Sequence, residues 1–358
     1  MPEKPNIFLL CGKTGGPFFP YIALKEVLKA DNNLIFIGVK NSFEEQAVKD
    51  YKIEFLPVIK LSILTFKKTD LSEFIKNLYD TLKIFLFLFS STFKSGSLLL
   101  KYKPKIIFTT GTFLNIPIIS AVAFLRTIKI IKTKIIVHQQ DPMPGIANRF
   151  AARFADKITC VFDYSLKYFP TAKIIFNPIN PNLYKPEKSL LGVELQKFFE
   201  NPKPVLLIFG GGSGSLAINT WVIENLDKLL EKYQVLHLTG VLRDEMVFPA
   251  RQGYLAIKFL IEEMPIILSL ASRVVCRAGL GSITELLFLQ KEAFLIPLPD
   301  SHQEINSQTV ENYFEILEEN QKDIWLEKVL DNNWSKQKYE KTNIQKSLDE
   351  YYSEILSV

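Results

Sequence analysis

Apolar residues along this chain gather into short unbroken runs separated by longer amphipathic stretches, and the two alternate from end to end. In the first half, runs at 6–11, 34–39, 106–109, 135–137 and 158–162 predict strands; in the second half, runs at 205–209, 235–238, 254–258, 273–276 and 293–297 do the same. A strand covered by helices on both faces has no solvent side to alternate toward. Continuous runs therefore mark the buried parallel sheets of doubly wound α/β domains. Between the halves, Asn177-Pro-Ile-Asn-Pro181 and Lys185-Pro186 break every periodicity, as a crossing between domains would. The pattern predicts two Rossmann-like domains, residues 1–178 and 179–335, facing each other across a cleft with ligands at the C-terminal ends of the strands. A charged tail of helical period, about 336–358, is expected to pack back on the first domain.

Charge changes this picture in one segment. The chain has 358 residues, enough for two full cores, and a net charge of +5. Residues 60–135 alone hold thirteen Lys and Arg against Asp70, Glu73 and Asp80, so the remainder is net acidic. The same segment carries Leu82-Lys-Ile-Phe-Leu-Phe-Leu-Phe89 and Leu98-Leu-Leu100, framed by Lys76, Lys83, Lys94, Lys101, Lys103 and Lys105. Both runs fall short of the roughly 18–20 apolar residues that a membrane span needs. Leu71 to Lys105 reads either as a helix lying on an anionic leaflet or as a buried core helix with a solvated lysine face. Nucleic acid is not an expected partner, because the aromatics form a block instead of interleaving with cations. Cys11, Cys160 and Cys276 are far apart and form no Cys-x-x-Cys pair, which favours a reducing compartment and argues against a zinc site. The opening Met-Pro-Glu-Lys-Pro lacks the basic-then-apolar order of a signal peptide, so a cytoplasmic protein is expected.

Four glycine turns stand where strands should end: Cys11-Gly-Lys-Thr-Gly-Gly-Pro-Phe-Phe-Pro20, Thr110-Gly-Thr-Phe113, Gly210-Gly-Gly-Ser-Gly-Ser215 and Arg277-Ala-Gly-Leu-Gly-Ser-Ile-Thr-Glu285. Gly12-Lys13-Thr14 lacks the glycine five residues earlier that would make it a P-loop. The last turn carries the most chemistry. A glycine turn feeding a helix exposes unpaired N–H groups and the positive end of the dipole, which suits a diphosphate. Glu285, slightly further in, can accept two hydrogen bonds from a ribose diol, and His302-Gln303-x-x-Asn306 can read sugar hydroxyls without adding charge. On the residues alone, an ordinary strand–turn–helix stays equally open.

Taken together, these blocks resemble the MurG family of inverting glycosyltransferases over nearly the whole chain. Thr14-Gly-Gly-Pro-Phe-Phe-Pro20 is similar to the family's first acceptor loop, and His138-Gln-Gln-Asp-Pro-Met-Pro-Gly-Ile-Ala-Asn-Arg149 to its His-Glu-Gln-Asn-x-x-Pro-Gly-x-x-Asn-Arg block. Gly210–Ser215 with Asn219 resembles the Gly-Gly-Ser-Gln-Gly-Ala loop, and Phe259-Leu-Ile-Glu-Glu-Met264 and Arg277–Glu285 resemble the uracil- and ribose-binding segments. His302-Gln303-x-x-Asn306 resembles the sugar-contacting Asp-His-Gln-x-x-Asn-Ala stretch.

The resemblance implies a GT-B fold, UDP-N-acetylglucosamine as donor, and lipid I, a polyprenyl-diphosphate-linked muramyl peptide, as acceptor, giving lipid II for peptidoglycan. It places Gly210, Gly211, Gly212, Ser213, Gly214, Arg277 and Gly279 on the donor, Met264 at uracil, Ser282 at a phosphate, Glu285 at the ribose, and His302, Gln303 and Asn306 at the sugar. Thr14, Gly15, Gly16, Gly111 and Asn148 would meet the acceptor. The family's membrane-facing patch falls on Leu71 to Lys105, implying a peripheral protein on the cytoplasmic face of the membrane. No Asp-x-Asp occurs, so neither a metal nor another cofactor is indicated, and backbone N–H groups are left to hold the departing diphosphate.

Four positions depart from the family. Pro17 replaces a His and Gln139 a Glu, which removes two proton acceptors; Gly212 replaces a Ser; and the second turn keeps only Gly111 of three glycines, with bulkier Thr109 and Thr112 beside it. Of the three histidines, His237 sits in an apolar strand as a core residue and His302 belongs to the donor side. His138 remains as the catalytic base, with Asp141, in place of a family Asn, orienting it or taking the proton itself. His138 bracing its loop is the alternative. Three other functions keep the fold: transfer to a different lipid-linked acceptor, a catalytically silent donor-binding scaffold, and a UDP-sugar epimerase. The last is disfavoured, since it would need several active-site carboxylates.

Overall fold

The computed structural model describes residues 4–12, 15–28, 31–40, 54–58, 71–180, 186–241 and 245–339, with the single residues 45, 48, 183, 349 and 353. The chain divides into two compact units, Met1–Ile175 with Asp349–Val358, and Phe176–Leu348.

The first unit contains β1 (Asn6–Leu10), α1 (Gly15–Leu28), β2 (Asn33–Val39), β3 (Glu54–Val58), α2 (Leu71–Tyr102), β4 (Ile106–Thr109), α3 (Asn115–Thr127), β5 (Lys134–Gln139), α4 (Ile146–Ala152), β6 (Lys157–Cys160) and β7 (Lys173–Ile174). Its strands form one parallel sheet in the order β3-β2-β1-β4-β5-β6-β7. Phe8, Leu10, Ile107, Ile135 and Val137 pack one face of that sheet on Ile118, Ile119 and Val122 of α3 and Leu99 of α2.

The second unit contains α5 (Val193–Glu200), β8 (Val205–Phe209), α6 (Leu216–Lys232), β9 (Gln234–Leu238), β10 (Tyr254–Ile257), α7 (Met264–Leu270), β11 (Arg273–Arg277), α8 (Leu280–Leu289), β12 (Glu292–Ile296), α9 (His302–Gln308), β13 (Glu315–Ile316) and α10 (Lys322–Leu330). Its parallel sheet runs β10-β9-β8-β11-β12-β13. Leu206, Ile208, Val275 and Phe294 meet Trp221 and Val222 of α6, and Trp221 stands edge-on to Trp325 of α10 at 5.6 Å.

Every predicted strand is present. Three others gave no readable run: β3 is an edge strand carrying Pro57, while β7 and β13 are two residues each. Helix α1 begins at Gly15, so Gly15 and Gly16 lie in its first turn and not in a loop. The expected C-terminal helix is absent over 336–339; of its remainder only Asp349 and Ser353 are among the described residues, and both are helical.

Helix α2 is patterned inside out. Ser91, Ser95 and Leu99, spaced four apart, are its buried stripe, whereas Leu86, Phe89, Phe93 and Leu100 are about half exposed or more, at 56, 57, 66 and 45%. Small residues let α2 pack closely on α3, so the fold uses the serine side and leaves the aromatic side outward. Over its described side chains, this excludes the core-helix reading. None of the described helices is long and apolar enough to cross a membrane.

Candidate active site

In the second unit the chain runs outward from β8 to β9 and β10, then returns beside β8 as β11. The loops after β8 and β11 therefore part at the switch point of the sheet, where open α/β sheets bind ligands. Arg277, at the end of β11, ties that edge together. Its Nη2 donates to Ser215 Oγ at 2.7 Å, its Nη1 to the carbonyls of Ile296 and Pro297 at 3.3 and 3.2 Å, and the guanidinium pairs with Glu319 at 2.5 Å. One cation thus holds the ends of three neighbouring loops.

Helix α8 starts at Gly279, an extended N-cap with no side-chain capping bond. A Cβ built on Gly279 or Gly281 meets nothing within 4 Å, so the protein leaves open space beside a first turn whose N–H groups have no side-chain cap. Ser282 is half-buried in that turn. Glu285 is half-buried one turn further in, and burial pushes its carboxyl up to about 8. Burial, then the neighbouring Glu285 charge, raises the Cys276 thiol beyond the ordinary thiol range.

The glycine loop after β8 is exposed at Gly211, Gly212 and Ser213, with Gly210 and Gly214 half-buried at its ends, and the Gly214 N–H closes on the Gly211 carbonyl at 3.0 Å. A Cβ at Gly212 would lie 3.3 Å from the Phe259 ring, a steric account of the missing serine. Gly240, which the sequence reading passed over, is the close-approach glycine of this site. Its φ is +89°, a Cβ there would lie 2.1 Å from Gly214 Cα, and the next N–H, of Val241, donates to Gly212 O at 3.0 Å. The signal was present in Thr239-Gly240, directly after a strand.

Beneath this loop runs a buried relay. Asn219 Nδ2 donates to Thr239 O at 2.9 Å, which turns Asn219 Oδ1 toward His237 Nε2 at 3.1 Å. His237 must then carry its hydrogen on Nε2 and accept from the Tyr254 hydroxyl at Nδ1, 2.9 Å away. Burial lowers His237 to about 3, so it is a satisfied core residue.

Of the remaining residues expected on the donor, Met264 opens α7 half-buried and His302 opens α9 exposed. Gln303 Oε1 accepts from Leu298 N at 3.1 Å. Asn306 is fully buried, and its Nδ2 lies 3.4 Å from Ala278 O, bracing the turn before α8. All of these residues sit beyond the C-terminal ends of the strands.

In the first unit the equivalent switch point lies between β1 and β4. Thr14 falls outside the described residues. Gly111 (φ +112°) packs on Asn148, whose Nδ2 would be 2.9 Å from a Cβ there. Asn148 is 3% exposed, and its Nδ2 faces Gln139 Oε1 at 2.6 Å and Thr110 O at 3.3 Å, while its Oδ1 accepts from Asn115 at 3.3 Å. Asn115 in turn accepts from Thr109 Oγ1 at 2.6 Å, and the Gly111 N–H donates to that same hydroxyl at 3.2 Å. Asn148 is thus a support beneath the turn, and the Gly111 N–H is engaged inside the protein.

Gln139 belongs to this network. It accepts from Asn148 and donates from Nε2 to Asp141 O at 2.6 Å, which an ionised glutamate has no hydrogen to do. His138 has no exposed surface; its Nδ1 is 2.8 Å from Thr159 Oγ1 and its ring stacks near Phe108 at 6.3 Å. This is the placement of a brace. Asp141 is half-buried in the following loop, whose carbonyls at Asp141 and Pro142 accept from Ser165 Oγ. Among the described residues, no three His, Cys, Asp or Glu side chains gather as a metal site.

Two family models match the chain: the glycosyltransferase family 28 N-terminal domain over residues 7–160 and the family 28 C-terminal domain over 205–355. A curated relative from Lachnospira eligens, UDP-N-acetylglucosamine–N-acetylmuramyl-(pentapeptide) pyrophosphoryl-undecaprenol N-acetylglucosamine transferase, is 32% identical over 296 residues, covering 82% of this chain and 78% of its own. The protein of the same name from Clostridium novyi is 30% identical over 299 residues, with coverages of 83 and 79%. Among solved structures, Acinetobacter baumannii MurG shares the fold with a TM-score of 0.62 at 19% identity, covering 91% of this chain and 90% of that one. A putative UDP-N-acetylglucosamine 2-epimerase from Listeria monocytogenes also shares it, with a TM-score of 0.61 at 12% identity and coverages of 98 and 91%.

Proposed function

The chain belongs to the MurG family within glycosyltransferase family 28, has the GT-B fold of that family, and from this membership we propose that it moves N-acetylglucosamine from UDP-N-acetylglucosamine onto lipid I to make lipid II. The observation that carries the reading is the switch-point edge of the second unit: an uncapped helix start, room above Gly279 and Gly281, Arg277 beside the glycine loop, and Glu285 a turn inside.

The acceptor hydroxyl displaces UDP in line at the anomeric carbon, so charge develops on the departing diphosphate. The first-turn N–H groups of α8 and the Arg277 guanidinium answer that charge without a metal or other cofactor. Glu285 takes the ribose diol as its carboxylate, releasing a proton when the donor binds. Met264 lines the uracil side, and His302 and Gln303 reach the sugar. Asp141 is assigned the base role, since His138 lies buried as its neighbour's brace. Asp141→Asn with full turnover across pH would remove that assignment.

The outward rings of α2, together with Phe124, Ile128 and Ile130 at the end of α3 and exposed Lys94, Lys101, Lys129 and Lys132, support peripheral attachment to an anionic membrane on its cytoplasmic face. A second reading, transfer to another lipid-linked acceptor, is favoured by one feature: the Gly111 N–H is taken up internally. Labelled UDP-N-acetylglucosamine with bacterial membrane extract tests both. Label in a polyprenyl-diphosphate disaccharide peptide is the expected result, label in a different lipid selects the second reading, and no transfer rejects both.

A further inference from the structure

The crevice between β1 and β4 is bridged by a side chain that no sequence motif singled out. Tyr21 lies in α1 and is fully buried, its ring edge-on to Phe36 at 5.8 Å and to Phe108 at 5.6 Å. Its hydroxyl lies 2.9 Å from Leu10 O, 3.0 Å from Thr110 N and 3.3 Å from Thr110 Oγ1. A phenol has one hydrogen and two lone pairs. The Leu10 carbonyl can only accept, so it takes the hydrogen, and Thr110 supplies both its N–H and its O–H to the oxygen. One atom therefore fastens the last residue of β1 to the first residue of the turn after β4. Two further contacts of that turn come from the side of β4 away from β1: Thr109 Oγ1 receives the Gly111 N–H, and Asn148 of α4, which follows β5, meets the Thr110 carbonyl.

We propose that Tyr21 is a positioning residue for the acceptor, fixing the Thr110–Gly111 turn against β1 so that the acceptor's diphosphate meets a wall of preset shape. This rests on the reading that the N-terminal unit receives a polyprenyl-diphosphate acceptor. The turn has one glycine among Thr109, Thr110, Gly111 and Thr112, so glycine-rich backbone does not set its shape; paired side chains do. Taking away the hydroxyl strands the Thr110 N–H in a buried place, and the turn must then rearrange to satisfy it.

Tyr21→Phe keeps the ring and removes only the oxygen. Two measurements bear on it: amide exchange at Thr110 in the substrate-free protein, and kinetics with each substrate varied in turn. Thr110 exchange is expected to quicken by about tenfold or more. KM for the polyprenyl-diphosphate acceptor should rise about five- to tenfold, while KM for UDP-N-acetylglucosamine stays within about twofold. Unchanged exchange at Thr110, or both KM values rising together as the unit loosens, would overturn the assignment. Wild-type protein that transfers to no polyprenyl-diphosphate acceptor defeats the functional reading instead, a result distinct from unchanged Thr110 exchange in a transferring enzyme.

Discussion

The two switch points of this molecule share a topology and differ in chemistry. In the second unit the bridging group is Arg277, a cation 11% exposed, beside a helix start left uncapped and glycines with open space above them. In the first unit the bridging group is Tyr21, neutral and fully buried, above which the Gly111 N–H and the Asn148 amide are already bonded within the protein. An edge with charge and unanswered donors suits a nucleoside diphosphate. An edge stitched by side chains suits a partner, diphosphate included, that is recognised mainly by shape. The same strand order thus gives one unit that offers electrostatics and one that offers form.

Removing the cation should separate the two most sharply. Arg277→Ala is expected to weaken UDP binding by about a hundredfold and, by leaving Glu319 without its partner, to lower stability by about 3 kcal/mol, read by calorimetry and denaturant unfolding. Acceptor KM that rose equally would erase the contrast. Gly111→Ala should do the reverse: a Cβ pressing on Asn148 at φ +112° costs about 2 kcal/mol of stability with UDP affinity unchanged.

A pH series sharpens the electrostatic side. Glu285 ionises near 8 in the ligand-free protein, so most molecules must release a proton to present a carboxylate at pH 7. UDP-N-acetylglucosamine affinity should therefore rise about tenfold between pH 7 and 9 and flatten above, and Glu285→Gln should abolish the slope. Because the folded value exceeds the unfolded 4.5, the protonated carboxyl's contribution to stability is present at acid pH and is lost as pH rises through about 8. The smallest effect belongs to Gly281→Ala. Nothing in the protein meets the added methyl, so stability holds or gains slightly, and only UDP affinity falls, by about threefold.

The strands were legible because buried parallel strands leave continuous apolar runs. The edges were less so: Pro57 disguised β3, and two-residue strands leave no pattern. On the donor side, the composition of 277–285 announced its own chemistry, since glycine before a helix and a carboxylate inside it are local statements. Tyr21, Gly240 and Glu319 were invisible for the opposite reason. Each matters through a partner far along the chain: Tyr21 through Thr110, Gly240 through Gly214, Glu319 through Arg277. Asn148 reads as acceptor-facing from its motif and lies buried on Gln139 and Thr110 in the fold, because nothing in a sequence tells a buried amide from a ligand-facing one. Gln139 read as a loss of a proton acceptor, whereas in the fold it is a gain of a donor.

The serine stripe of α2 has a colloidal consequence. Ser91, Ser95 and Leu99 satisfy what folding asks of that helix, so Phe89 and Phe93 are unconstrained by the interior. Kept away from a lipid sheet, those rings are the first groups to find one another on separate molecules, and crowding in plain buffer would favour clumping over a clear solution.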